Sequence, residues 1–222
     1  MTGGLRAEQC ASRLAQAAGV PPPPVVIVPG LHSRSREHDH GGGAAAITEA
    51  SRSRVTICVD QAAADSLPDP ALDYVLAHEL AHVVAWRRPT YRASLRIKEL
   101  LMFGPAAVVA LVVIVTIAAA GGLAASPPSV LILVAAWPVL LVAGQVGRMA
   151  VQRREELAAD RWAAQLLGSA AGLQAYAEWS GRRRPHRRQQ HLGDWLLTAT
   201  HPTYSARLAA MRKSVSRSKP VG

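Results

Sequence analysis

LAHELAHVVAW, residues 76–86, admits two readings, and the choice between them decides the fold. His78 and His82 stand four residues apart, with Glu79 directly after the first. On a helix, positions i and i+4 are neighbours one turn apart, so two imidazoles at this spacing can share one metal ion. A glutamate beside the first can reach a water molecule at that ion and act as a general base. The plain alternative is an apolar helix that holds two histidines, buried through Leu76, Leu80, Val83 and Val84.

The flanks support a helix. Asp69 is a good N-cap and Pro70 suits the first helical position. Arg87 and Arg88 favour the C-terminal end and Pro89 limits it. Upstream, residues 5–19 predict a short helix ended by Gly19, PPPP at 21–24 a rigid spacer, and VVIVPG at 25–30 a β-rich run. LHSRSREHDHGGG, 31–43, reads as a solvated loop, with His38, Asp39 and His40 in it. AAAIT at 44–48 and SRVTICVD at 53–60 predict a strand hairpin, because Val55, Ile57 and Val59 alternate with Thr56, Cys58 and Asp60. The 53–60 strand is expected to offer its edge to an extended peptide.

The chain of 222 residues is long enough for one domain or two small ones. Half the residues are hydrophobic but only 5% are aromatic, which suits closely packed helices built from Ala, Val and Leu. Cys10 and Cys58 have no metal or redox spacing, and are compatible with a reducing, cytosol-facing environment. Charge is uneven. Residues 1–99 carry 11 Lys/Arg against 10 Asp/Glu, and residues 148–222 carry 14 against 5. A basic half points to nucleic acid or to anionic lipid.

Lipid is favoured by Leu100–Gly147, 48 residues without a charge. It contains two apolar segments, 104–125 and 129–147, joined through SPPS. Each is near the ~20 residues that span a bilayer core, so a two-helix transmembrane hairpin is expected, over a buried helical hairpin of a soluble protein. Arg87, Arg88, Arg92, Arg96 and Lys98 precede it, and Arg148, Arg153 and Arg154 follow. The positive-inside rule then puts both chain ends in the cytoplasm of a multi-pass plasma-membrane protein. The opening MTGGLRAEQC has no apolar run, so no secretory signal is expected. The arginine cluster at 182–188 lacks interleaved aromatics, so anionic lipid headgroups are expected there and nucleic acid is not.

A catalytic metal needs a third protein ligand. VQRREELAADRWAAQLLG, 151–168, predicts a helix ended by Gly168, and offers Glu155, Glu156 and Asp160. Glu156 and Asp160 share a face, so one carboxylate would bind the ion and the other would hold a ligand histidine by its second ring nitrogen. The bland reading is a solvated helix start, with acids favourable there. AGLQAYAEWS predicts a further helix, and a last one follows Pro202.

HELAH, then the apolar segments, then EELAAD, then THPTYSARLAAM resembles the HtpX-like membrane zinc metalloprotease family, in the superfamily that includes the CAAX prenyl endopeptidases. The resemblance covers most of residues 13–212. It implies zinc held by His78, His82 and Glu156, Glu79 as general base, and Asp160 supporting a ligand. It also implies that His201 and Arg207 stabilise the oxyanion of the tetrahedral intermediate. Read without the family, His201 is a helix-start histidine.

The expected fold is therefore α+β and mostly helical: a zincin-like metalloprotease domain with a small sheet, interrupted by the transmembrane hairpin. The expected boundaries are 1–99 and 148–213 for the two protease parts, 100–147 for the hairpin and 214–222 for a disordered tail. The expected activity is zinc-dependent cleavage of membrane-associated or cytosolic polypeptides at a cytosolic site. The rival is a membrane-bound sensor or partner-binding protein that keeps the protease fold without catalysis.

Overall fold

The computed structural model describes residues 3–31, 46–50, 55–93, 110–119, 121, 128–182 and 202–218. Helix α1 (Gly3–Ala17) leads to strand β1 (Val25–Val28), and strands β2 (Ala46–Ala50) and β3 (Val55–Asp60) follow. Then come α2 (Gln61–Ser66), α3 (Asp69–Arg87), α4 (Pro128–Leu167), α5 (Ala171–Arg182) and α6 (Tyr204–Ser218). Gly19 and Gly168, at φ 66° and 64°, end α1 and α4 in the left-handed region that glycine adopts at no steric cost.

The sheet order is β1-β3-β2, with β3 parallel to β1 and antiparallel to β2. This corrects the expected substrate edge. β3 is paired on both sides and has no edge to offer; among the described residues, the edge on the α3 side of the sheet belongs to β2. Asp60, at the end of β3, caps α2 by accepting from the Ala63 amide at 3.1 Å.

Helix α3 is the centre of the core. Ala71, Leu72, Tyr74, Val75, Leu76, Ala77, Leu80 and Val83 are all buried, on more than one face, as expected for a helix enclosed by neighbours. It packs on α1, α5 and the sheet. Asp69 lies one position inside the helix rather than at its cap, and pairs with the Arg6 guanidinium. The same guanidinium donates to the Leu67 carbonyl at 2.8 Å, tying α1 to the start of α3. Helix α5 comes close at Gly172: a Cβ there would lie 2.4 Å from the Pro70 carbonyl oxygen and 2.6 Å from Tyr74 Cβ. Gly172→Ala is therefore expected to force α5 away from α3 and to cost roughly 1–3 kcal/mol, read as a lower urea midpoint. An unchanged midpoint would contradict this close approach.

The transmembrane hairpin expected over 104–125 and 129–147 is corrected: among the described residues, no helix is long and apolar enough to cross a membrane. The helical stretch over 110–119 covers ten residues, about 15 Å against a hydrocarbon core of about 30 Å. The rest of 104–125, apart from Gly121, lies outside the described residues. The second segment is not a separate helix, because α4 runs unbroken from Pro128 to Leu167. The class is thus α+β, mostly helical, with one three-stranded sheet.

The chain divides into two compact units. One comprises Met1–Arg88 with Arg153–Gly222 and holds the core above; the other is Pro89–Gln152. In the second unit Leu111, Ile114, Ile132, Val139 and Val142 are each more than half exposed. In the first, α6 continues to Ser218, past the expected start of a tail at 214, because Ser214 is buried and its hydroxyl donates to the Arg161 carbonyl at 3.3 Å. The 31–43 loop (apart from Leu31) and the 182–188 cluster beyond Arg182 lie outside the described residues.

Candidate metal centre

Two helices supply the donors. α3 sets His78 and His82 one turn apart, with their Nε2 atoms at 3.2 Å. α4 brings Glu156 against both: one carboxylate oxygen is 3.4 Å from His78 Nε2 and the other 3.4 Å from His82 Nε2. Ligand atoms of these three residues lie within 4.8 Å of one another, the one such grouping among the described residues. The separations have a physical meaning. Ligands at about 2.0–2.1 Å from a tetrahedral ion are separated by about 3.3 Å. The triangle of two imidazoles and a carboxylate has that size and, among the described residues, leaves a fourth corner open, so the donor set fits a catalytic metal.

Behind the donors sits a buried polar cluster. Asp160, one turn after Glu156 on α4, is fully buried. Its Oδ1 lies 2.9 Å from His78 Nδ1. An ionised carboxylate only accepts, so Nδ1 carries the hydrogen and Nε2 can present its lone pair. The Tyr74 hydroxyl donates to the same oxygen at 2.8 Å. From α6, Arg207 donates through Nε to Oδ2 at 2.7 Å, and through Nη2 to Oδ1 at 2.8 Å and to the Tyr74 hydroxyl at 2.7 Å. The pairing of Arg207 with Asp160 is bidentate, the strong form for a guanidinium and a carboxylate.

Electrostatics follow from these contacts. Burial alone raises the Asp160 carboxyl, but hydrogen bonds from Arg207 and His78 outweigh it and hold the group well below the usual carboxylate range. Burial likewise disfavours charge on Arg207, and Asp160 overrides it, so the guanidinium stays charged. Burial pushes the Tyr74 phenol well above its ordinary value, keeping it a donor. For His78 burial acts downward, yet the hydrogen bonds to Asp160 and Glu156 prevail and lift the imidazole to about 9.

Glu79 is buried on α3 beside His78, and Thr48 of β2 donates to its Oε2 at 2.6 Å. Spacing left open which acid faces the histidines. In the structure Glu156 lies on the Nε2 side and Asp160 on the Nδ1 side. His201 lies outside the described residues, so its expected site at the oxyanion has no structural counterpart here. Arg207, expected at the same oxyanion, is found on Asp160 and Tyr74. Tyr74 and Thr48 were not anticipated. Tyr74 had a signal, since it precedes His78 by one turn on the same helix face. Thr48 had none, because its contact depends on how the strand edge meets α3.

Compared with known proteins, residues 5–215 match the model of a family described as Peptidase family M48. No curated protein and no solved structure matches the chain.

Proposed function

The chain belongs to peptidase family M48 and is a metallopeptidase; from that premise we propose that it is a zinc-dependent endopeptidase acting on extended polypeptide segments. One observation carries the proposal: His78, His82 and Glu156 enclose a space of tetrahedral size, and Glu79 directly follows His78 on the same helix. These three residues would hold the ion. Two imidazoles and a carboxylate are a donor set suited to catalytic zinc. The chemistry supplied by bound zinc is Lewis acidity at a carbonyl oxygen and a lowered pKa for water.

The remaining work falls to the chain. The Glu79 carboxylate takes a proton from the attacking water and returns it to the leaving amine. Asp160 holds His78 in the tautomer that presents Nε2, and Arg207 with Tyr74 holds Asp160. β2, the edge strand beside α3, is where an extended substrate would add as a further strand, with main-chain hydrogen bonds carrying the binding.

Removing and restoring the ion tests the reading. Fluorescently labelled casein is expected to be cleaved by the purified protein, with 1,10-phenanthroline stopping cleavage and Zn²⁺ restoring it. Cleavage indifferent to the chelator would refute the proposal. Calorimetric titration of the chelated protein gives a second readout. Without an ion, His78 holds its proton up to about 9 rather than near the ordinary value, so it is protonated at neutral pH. Ligation needs the neutral ring, so each ion displaces about one proton from His78, and apparent affinity rises about tenfold per pH unit below that value. The proton count follows from heats measured in buffers of different ionisation enthalpy.

A further inference from the structure

Among the described residues, Glu79 is reached from outside its own helix by one short contact. Thr48, in the middle of edge strand β2, places its Oγ1 2.6 Å from Glu79 Oε2 and 3.2 Å from the Glu79 carbonyl oxygen. The carboxylate is acceptor-only, so the threonine hydroxyl is the donor, at the distance of a charge-assisted O–H···O⁻ bond. Among the described residues, it is the hydrogen-bond donor that reaches this carboxylate. A glutamate side chain turns about three bonds, whereas threonine is β-branched and stiff at χ1. Thr48 is itself held by its strand, opposite Ile57 of β3. The rigid partner therefore fixes the mobile one.

We propose that Thr48 is a positioning residue for Glu79, tying the general base to the strand whose edge receives the substrate. The inference rests on the reading of Glu79 as the base. The Thr48 side chain acts through Glu79: it limits the orientations from which Glu79 can take a proton. Because β2 forms the edge, a substrate strand that docks there lies against the strand that orients the base.

Thr48→Val preserves shape and branching and removes only the donor; Thr48→Ser keeps the hydroxyl. On labelled casein with the zinc-loaded protein, Thr48→Val is expected to lower kcat about tenfold to a hundredfold with KM and zinc content unchanged, the loss for a hydrogen bond to a charged group. Thr48→Ser is expected to recover kcat to within about threefold of the parent. Wild-type kcat in Thr48→Val overturns the inference. So does equal loss in both variants, or a fall in zinc content or melting temperature that tracks the loss, since each assigns Thr48 to packing. Glu79→Gln, run alongside, separates the two readings. If it is inactive while Thr48→Val is fully active, only the role of Thr48 fails; if it is itself fully active, the base assignment fails first.

Discussion

Glu79→Gln is expected to bind zinc as the parent does and to cleave casein about a thousandfold more slowly, or below detection. Glutamine has the volume and reach of glutamate, so α3 keeps its packing and His78 and His82 keep their spacing. Its amide oxygen still accepts from Thr48, so the contact with β2 survives. What is lost is a group able to take a proton, and general-base catalysis is worth roughly 10²–10⁴ in rate. The variant therefore separates chemistry from metal binding. Metal analysis with a casein assay reads both, and full activity in a variant that retains its ion would refute Glu79 as base. The same protein, able to bind but not to cut, is a suitable trap for identifying substrates by mass spectrometry.

The second large effect is expected at Asp160. Asp160→Ala leaves the Arg207 guanidinium and the Tyr74 hydroxyl without their acceptor in the interior. Breaking one side of a buried ion pair costs roughly 3–5 kcal/mol, because the surviving charge stays desolvated. It also frees His78 Nδ1, so zinc affinity is expected to fall about 10- to 100-fold even in molecules that remain folded. Asp160→Asn keeps the volume and tests charge alone. Asp160 is depressed below its ordinary carboxylate value, so its contribution is complete above a pH of about 4 and is lost as pH falls toward the folded-state value. The stability gap between the parent and Asp160→Asn should therefore be widest near neutrality and narrow in strong acid. Denaturant unfolding at both pH values measures it; an equal gap at each would contradict a charge-based role.

Much of this site can be read in the sequence, for identifiable reasons. The helix carrying His78 and His82 is bounded by Pro70 and Pro89, and its spacing dictates that the two rings meet. Strand β3 declares itself by alternation, and Gly19 and Gly168 mark helix ends through a conformation other residues avoid. Three things were not legible. Alternation gives a strand its faces but not its neighbours, so the central place of β3 was missed. Glu156 and Asp160 share a helix face, and only the approach of α3 to α4 separates the Nε2 side from the Nδ1 side. The uncharged run at 100–147 reports composition rather than helix limits. Gly144 and Gly147 each cost a helix only about 1 kcal/mol, too little to interrupt α4 between its apolar and charged halves.

The polar cluster behind the histidines also sets an order of events during synthesis. Tyr74 and Arg207, joined through Asp160, are 133 residues apart in the chain. At roughly 5–20 residues per second, translation separates them by roughly 7–27 s. For nearly all of that interval HELAH already exists on the nascent chain, but the arginine that anchors the carboxylate behind His78 has not yet been made. The complete arrangement is therefore a late product of translation, and the growing polypeptide carries the helix of His78 and His82 well before it carries the support that orients it.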